Sequence, residues 1–372
     1  MPGKRCGDNT ATPFYSMELK RRSLPVQRPK ERGVAIIMVI LMIAIGMTVL
    51  VALNDSTYVA MRLNSASERR VKAEYILKSA INVALVLLAN DTTPADDRNT
   101  DDWMKFTQGL EAPGSLLGLD EPNVRVSLLI ASEQGKIPIL ALRDTGPPGN
   151  PIDSVKAWAP VLYQLLVNVG AGTPTGDGPA VPPEQLVANL IDYLDTNEDN
   201  FNYDKFQGDE SSLPAEKKFR NEGKIDSLTS ELAAIPGFTP DLVQRILPFI
   251  SGASFSKINI NAAPEQVLMA LDPNMTPDIA AQIIARRDPG DPQGAFTSMT
   301  DLTSQIGTSV DLGSKVQFSQ NIFEVIAKVE YATSVFMASA TIKKGGSSSS
   351  TGGAPSGGGA SGAPRIESLL MY

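Results

Sequence analysis

From Val34 to Leu53 the chain reads VAIIMVILMIAIGMTVLVAL, twenty residues without a charge. Such a run has to be covered by lipid or by other protein, because water cannot hydrate it cheaply. As a helix rising 1.5 Å per residue it reaches roughly 30 Å, one hydrocarbon thickness. Lys4, Arg5, Lys20, Arg21, Arg22, Arg28, Lys30 and Arg32 precede it, against only Asp8, Glu18 and Glu31. Basic residues stay on the cytoplasmic side, so the larger C-terminal part is expected across the membrane. A cleaved secretory signal would have a shorter apolar core followed by small residues, whereas this one runs on into Asn54-Asp55. Two readings remain open: a plain signal anchor, or a hydrophobic helix that packs against others of its kind.

The helical pattern continues past the apolar run. Val59, Leu63, Ala66, Leu77, Ala80, Ala84, Leu85 and Leu88 recur at helical spacing, with Arg62, Glu68, Arg69, Lys72 and Glu74 between them. No proline interrupts residues 34–93. One helix from Val34 to Ala89 would be about 84 Å long. Its first part is apolar all round, and its second is amphipathic with one stripe able to cover a folded domain.

Composition removes several function classes. The 372 residues contain no histidine and a single cysteine, Cys6, within the basic leader. Ser-His-Asp and Cys-His nucleophiles, the usual zinc sites and a disulfide framework are therefore excluded from the body, and any metal must be held by oxygen. The whole chain has a formal charge of −8, and the part after the leader, with 25 basic and 38 acidic side chains, is more acidic still. This balance argues against a nucleic-acid partner, since phosphate binding needs clustered Lys and Arg. With 42% hydrophobic and 20% charged residues, the chain can build two or three cored units once its tails are removed.

Along the body, residues 91–122 read as a loop with one short helix. Val124, Val126, Leu128 and Ile130 alternate as a strand, with a turn at Glu133-Gln134-Gly135 and a return through Ile137, Ile139 and Ala141. Pro138 in that return needs an edge position or a bulge. Helices are expected near 153–169 and 183–195. The second empties into the oxygen-rich stretch Asp195-Thr196-Asn197-Glu198-Asp199-Asn200 and, later, Gly208-Asp209-Glu210. Asp195, Asn197 and Asp199 alternate like the first ligands of an EF-hand, and Asp209 and Glu210 could complete an oxygen shell. The full EF-hand pattern fails: Asn200 stands at the turn-glycine position and Phe206 at that of the bidentate glutamate. By spacing alone, a solvated acidic loop accounts for these residues better than a cation site does.

Two helical hairpins follow, at 226–250 and 262–305. Their form is that of SAM-like or helix-hairpin-helix units, which elsewhere bind DNA through a Gly-x-Gly turn and nearby cations. Here the turns are Ile235-Pro236-Gly237-Phe238-Thr239-Pro240 and Asp272-Pro273-Asn274-Met275-Thr276, acid-flanked and short of glycine. Packing is the better reading. Residues 316–343 are strand-like, rich in Val, Ile, Phe and Thr. From Gly345 to Pro364 only Gly, Ser, Ala, Pro and Thr occur, so 345–372 reads as a disordered tail closing on RIESLLMY, an end or a docking peptide.

A basic leader closing on Gly33, then a retained apolar helix, resembles the class III signal cut by prepilin peptidase. Pilins and most pseudopilins carry glutamate at the fifth mature position; counting from Val34, that residue is Met38. Its absence resembles the K-type minor pseudopilin of type II secretion, the general secretion pathway protein K family. So do the acidic-Gln-Gly turn at 133–135, the stretch Asp192-Tyr193-Leu194-Asp195 with Gly208-Asp209-Glu210, and the hairpin entry Asn261-Ala262-Ala263-Pro264.

That resemblance implies an α+β fold: a long N-terminal pilin-like transmembrane helix (34–90) on a small antiparallel sheet (91–150 and 306–344). A mostly helical domain (151–305) with its acidic loop (195–210) would be inserted between the sheet's two parts. It implies cleavage after Gly33, methylation of Val34, and partner contacts along Met38, Ile45, Val59 and Leu63. It also implies Ca²⁺ at Asp195, Asn197, Asp199, Asp209 and Glu210. Other minor pseudopilins, the major pseudopilin and prepilin peptidase would be partners. The protein would sit in the bacterial inner membrane, N-terminus cytoplasmic and body periplasmic, as a non-enzymatic tip subunit that starts and caps a filament. The competing reading is a single-pass anchored periplasmic binding module that keeps residues 1–33. An enzyme ranks behind both, since no titratable cluster beyond the acidic loop suggests catalysis.

Overall fold

The computed structural model describes residues 32–90, 103, 106, 109–113, 124–147, 149–172, 181–214, 225, 227–287, 294–307, 309–331, 334–345 and 363–372. The chain divides into two compact units, Met1–Ala66 and Ser67–Tyr372. The described part of the first is helix, the N-terminal portion of α1 (Arg32–Ala89). Among the described residues this is the one helix long and apolar enough to cross a membrane.

In the second unit the end of α1 packs on a sheet. Ala73, Ile76, Leu77, Ala80, Ile81, Ala84 and Leu88 are buried, a stripe repeating every three to four residues. Beneath it lie β1 (Leu110–Pro113) and β2 (Val124–Ser132), whose Val124, Val126, Leu128 and Ile130 point inward as the alternation requires.

The chain then leaves the sheet for a helical block with its own core. It passes through β3 (Ile137–Pro138), α2 (Asp153–Asn168) and α3 (Pro183–Leu194) to a small ribbon, β4 (Asn202–Tyr203) and β5 (Phe206–Gln207). The first hairpin is α4 (Leu228–Ala233) and α5 (Pro240–Ile246), and β6 (Ile250–Ser251) and β7 (Ile258–Asn259) lead to the second, α6 (Glu265–Leu271) and α7 (Pro277–Arg286). The hairpins repeat one device: Thr239 and Thr276 cap α5 and α7 through their hydroxyls, and Pro240 and Pro277 occupy the first helical turn. Buried Phe238 and Met275 precede the two caps. Helix α8 (Met299–Ile306) and β8 (Val316–Gln317) complete the block.

The sheet resumes with β9 (Ile322–Tyr331) and β10 (Ser334–Lys343) and ends with β11 (Arg365–Met371). Its order is β1-β2-β9-β10-β11, antiparallel throughout. Because β2 and β9 are neighbours, the whole helical block leaves and re-enters between adjacent strands. Phe323 fills the centre of this core, edge-on to Trp103 at 5.2 Å between ring centroids.

The mixed architecture, the long apolar helix and the antiparallel sheet match expectation; two strand readings do not. The return through Ile137, Ile139 and Ala141 does not pair with β2. Ile137 and Pro138 pair in parallel with Ile250 and Ser251, and Ile139–Leu142 is a 3-10 turn. The partner of β2 is β9, with Val124 opposite Tyr331 and Ser132 opposite Phe323. Pro138 is tolerated because its two-residue strand is paired on one side only. The second correction is the tail: residues 365–371 form β11 instead of remaining disordered. The Gly/Ser stretch before it, and most of the loop read at 91–122, lie outside the described residues.

Candidate functional site

The sequence directs attention to three places: the first part of α1, the acidic loop after α3, and the turn at 133–135. Along α1, every described residue from Val34 to Ala66 is solvent-exposed. The residues expected to meet partners, Met38, Ile45, Val59 and Leu63, are each more than half exposed. The hydroxyls of Thr48, Ser56 and Thr57 donate back to the carbonyls of Ile45, Leu53 and Leu53. That satisfies them without water, as a helix surrounded by lipid or by other helices requires. Val34 opens this exposed stretch, and Gly33 lies within the first turn of α1.

The acidic loop is built off the last turn of α3. Asp192 is fully buried, and its Oδ1 accepts the Phe201 amide at 2.6 Å. Asn189 Oδ1 accepts the Asp209 amide at 3.3 Å, so one face of α3 grips both strands of the loop. Gly208 is required for this grip: a β-carbon there would lie 1.8 Å from Asp192 Oδ2. Phe206, at the position where an EF-hand has glutamate, is an apolar anchor packed edge-on to Tyr163.

The expected ligands lie near one another but brace the loop. Asn197 donates to Asp195 Oδ2 at 2.9 Å and accepts the Asp199 amide at 2.7 Å. Asp209 accepts from Ser211, and the Glu210 amide donates to Asn200. Asp195 is buried, whereas Asp199 faces water. Among the described residues no three acidic side chains converge as a metal shell would. Asp192, outside the expected ligand set, is the most buried carboxylate of the loop; its place at the inward end of α3 was the signal for it.

The turn Glu133-Gln134-Gly135 joins the sheet to the helical block. Gln134 Oε1 accepts the amides of Asn321 and Ile322 at 2.6 and 3.2 Å, capping the start of β9. Its main-chain carbonyl accepts the Asn259 amide at 2.7 Å. Gly135 lets the Asn261-Ala262-Ala263-Pro264 segment approach: a β-carbon would stand 2.6 Å from the Ala262 carbonyl oxygen. Glu133 is buried between Ser251, which donates to it, and Lys136, whose ammonium lies 2.6 Å from Glu133 and 3.1 Å from Glu324.

Burial holds the Glu133 carboxyl above the ordinary glutamate range despite Lys136. Burial also raises Glu324, but the Lys136 charge and hydrogen bonds from Glu133, Lys136 and Ser339 outweigh it and bring that carboxyl below the range. A carboxyl with a raised folded-state pKa stabilises the fold below its unfolded value, and that contribution is lost as pH climbs through the folded value. Relative to Glu133→Gln, the native protein should therefore lose stability with rising pH above the ordinary glutamate range, by at most about 1.4 kcal/mol per pH unit. Thermal midpoints of both proteins across pH 4–9 check this; parallel curves would refute it.

Comparisons with known proteins fall on this frame. Residues 258–319, from β7 through β8, match the family "Type II secretion system (T2SS), protein K". A curated protein of Escherichia coli (strain K12), described as a type II secretion system protein K, is 23% identical over 267 residues, covering 70% of this chain and 76% of its own. The fold matches a chain of the crystal structure of the GspK-GspI-GspJ complex from the enterotoxigenic Escherichia coli type 2 secretion system. The TM-score is 0.59 and the identity 14%, with 83% of this chain and 99% of that one covered. The resemblance to type II secretion protein K read from the motifs is thus borne out by sequence, family and fold.

Proposed function

We propose that this chain is a K-type minor pseudopilin that assembles with partner pseudopilins through α1 and initiates and caps a periplasmic filament of a type II secretion system. The observation that carries the reading is the division of α1: Val34 to Ala66 exposed on every face, Ala73 to Leu88 with one stripe buried against a sheet. A soluble protein has no use for the first part. A subunit that exchanges lipid for neighbouring helices needs it. Met38 fits a tip position, since a carboxylate in an apolar bundle is worthwhile only beside a cation to pair with. On this reading prepilin peptidase cuts after Gly33, Val34 is methylated, and the body is periplasmic. The partners are other minor pseudopilins, as in the GspK-GspI-GspJ complex, together with the major pseudopilin.

The test is N-terminal sequencing of the protein extracted from membranes of a host with an active prepilin peptidase. A methylated Val34 start is expected, and Gly33→Leu should leave residues 1–33 attached and abolish co-purification with partner pseudopilins. An intact leader on the unaltered chain would instead favour the anchored binding module.

Within the same reading, the acidic loop takes Ca²⁺ through Asp195, Asn197, Asp199, Asp209 and Glu210. The donor chemistry fits: the loop offers oxygen ligands, and carboxylate oxygens of Asp195 and Glu210 are shielded from solvent. The ion would supply charge neutralisation for the loop, and Asp192 would keep Phe201 and Gly208 in position. Saturating Ca²⁺ should stabilise the fold by about 2.7 kcal/mol at a hundred times the dissociation constant. Asp195→Asn should remove most of that gain. A thermal midpoint that ignores millimolar Ca²⁺ would leave a solvated acidic loop.

A further inference from the structure

The last pair of strands in the sheet differs from the others. Tyr331 and Ser334 face each other across a short connection between β9 and β10. Lys343 and Arg365 are also directly opposite, yet residues 344–364 lie between them. A hairpin needs about two to five residues. The 21 residues between them far exceed what a hairpin turn needs, so by length alone they act as a tether.

The strand on that tether contributes little to the core. Ile366, Leu369, Leu370 and Met371 are each exposed by 37–40%, whereas Ala338, Ala340 and Ile342 of β10 are fully buried. What attaches β11 is main chain: a six-residue register broken by a shift between Thr341 and Ile342, and a reciprocal amide–carbonyl pair between Met337 and Tyr372 at 3.1 and 2.9 Å. Two peripheral contacts supplement it, Ser368 to Thr341 at 3.3 Å and Lys343 to Glu367 at 3.7 Å. The edge of β10 belongs to the fold; the strand laid on it is an addition. An uncovered edge of that length invites pairing with any extended chain.

We infer that the outer edge of β10 is a strand-addition site, and that Arg365–Met371 is its tethered, exchangeable occupant. The ligand class is an extended segment with apolar residues on one face and a carboxylate within reach of Lys343. The inference is independent of the secretion reading.

The experiment uses the full chain in detergent, a version ending at Lys344, and a labelled peptide of sequence RIESLLMY. Deletion should speed amide exchange at Met337 and Ser339 by roughly tenfold or more, and the peptide should restore protection where a scrambled peptide does not. Because Met337 and Tyr372 form a hydrogen-bonded pair, Leu370 donates to Ser339 and the Leu369 amide points outward. Leu370→Pro should therefore release the strand and Leu369→Pro retain it. The full chain should take up labelled peptide slowly as its own strand opens. Unchanged exchange after deletion overturns the proposal. So does a shortened chain that dimerises and ignores the peptide, or a full chain that never admits it.

Discussion

Ile81→Asp should abolish the folded sheet unit, whereas Ile45→Asp, a change of the same chemistry on the same helix, should leave that unit's stability unaltered. Ile81 is buried between α1 and the sheet, at 1% exposure, in the stripe that includes Leu77 and Ala84. An aspartate there loses the transfer energy of the isoleucine and places a carboxylate among Val, Ile and Phe side chains. The expected cost is at least about 3–5 kcal/mol, comparable to the whole stability of many domains. Ile45 is exposed in the described fold, so its replacement strands nothing there. It places a charge near the centre of the apolar run instead, at about 2.5–3.5 kcal/mol against membrane insertion. Chemical denaturation in detergent should give a lost or far lower midpoint for Ile81→Asp and a native one for Ile45→Asp. Carbonate extraction of membranes should give the reverse ranking. Equal midpoints would mean that the two parts of α1 do not differ as described.

The contrast between those residues is legible in the sequence, because a helix records its surroundings in period. Val34 to Leu53 has no polar face, and the spacing from Leu77 to Leu88 has one. The inward alternation of Val124, Val126, Leu128 and Ile130 was equally plain. Pairing was not. The partner of Ser132 is Phe323, and nothing in either strand's own residues names the other across the intervening helical block. A nearby apolar return at Ile137 and Ile139 therefore looked like the natural hairpin, although those residues are buried in the core of the helical block. β11 was hidden for a related reason. Its residues bury too little to announce a strand, and only the waiting edge of β10 makes them one. In the acidic loop the residue types are legible but their bonds are not: Asn197 donates to Asp195 and accepts the Asp199 amide, and Asp192, one turn earlier, accepts the Phe201 amide.

The same limit applies to Asn261, whose position in the Asn-x-Ala-Pro entry was visible while its task was not. The side chain is buried, with Nδ2 donating to the carbonyls of Phe296 and Phe318 at 2.9 and 3.1 Å and Oδ1 accepting the Phe296 amide at 2.9 Å. One amide thus ties the entry to α6 to the segment before α8 and to the chain returning towards β9. Asn261→Ala removes these partners at once and leaves three main-chain groups without them, in a place where water does not readily replace them. At about 1–3 kcal/mol for each of the three stranded groups, the loss should fall at about 3–9 kcal/mol. Asn261→Asp keeps the acceptor for the Phe296 amide but puts a carboxylate oxygen against two carbonyls, so it should be no better than alanine. Denaturant midpoints and amide exchange at Phe296 measure both effects. A change below about 1 kcal/mol, with Phe296 still protected, would mean that apolar packing of Phe296 and its neighbours holds these segments without the asparagine. The matched family segment, residues 258–319, contains Asn261 and all three of its hydrogen-bonded groups, two at Phe296 before α8 and one at Phe318 after it. The asparagine is therefore expected to matter as a strut of the helical block.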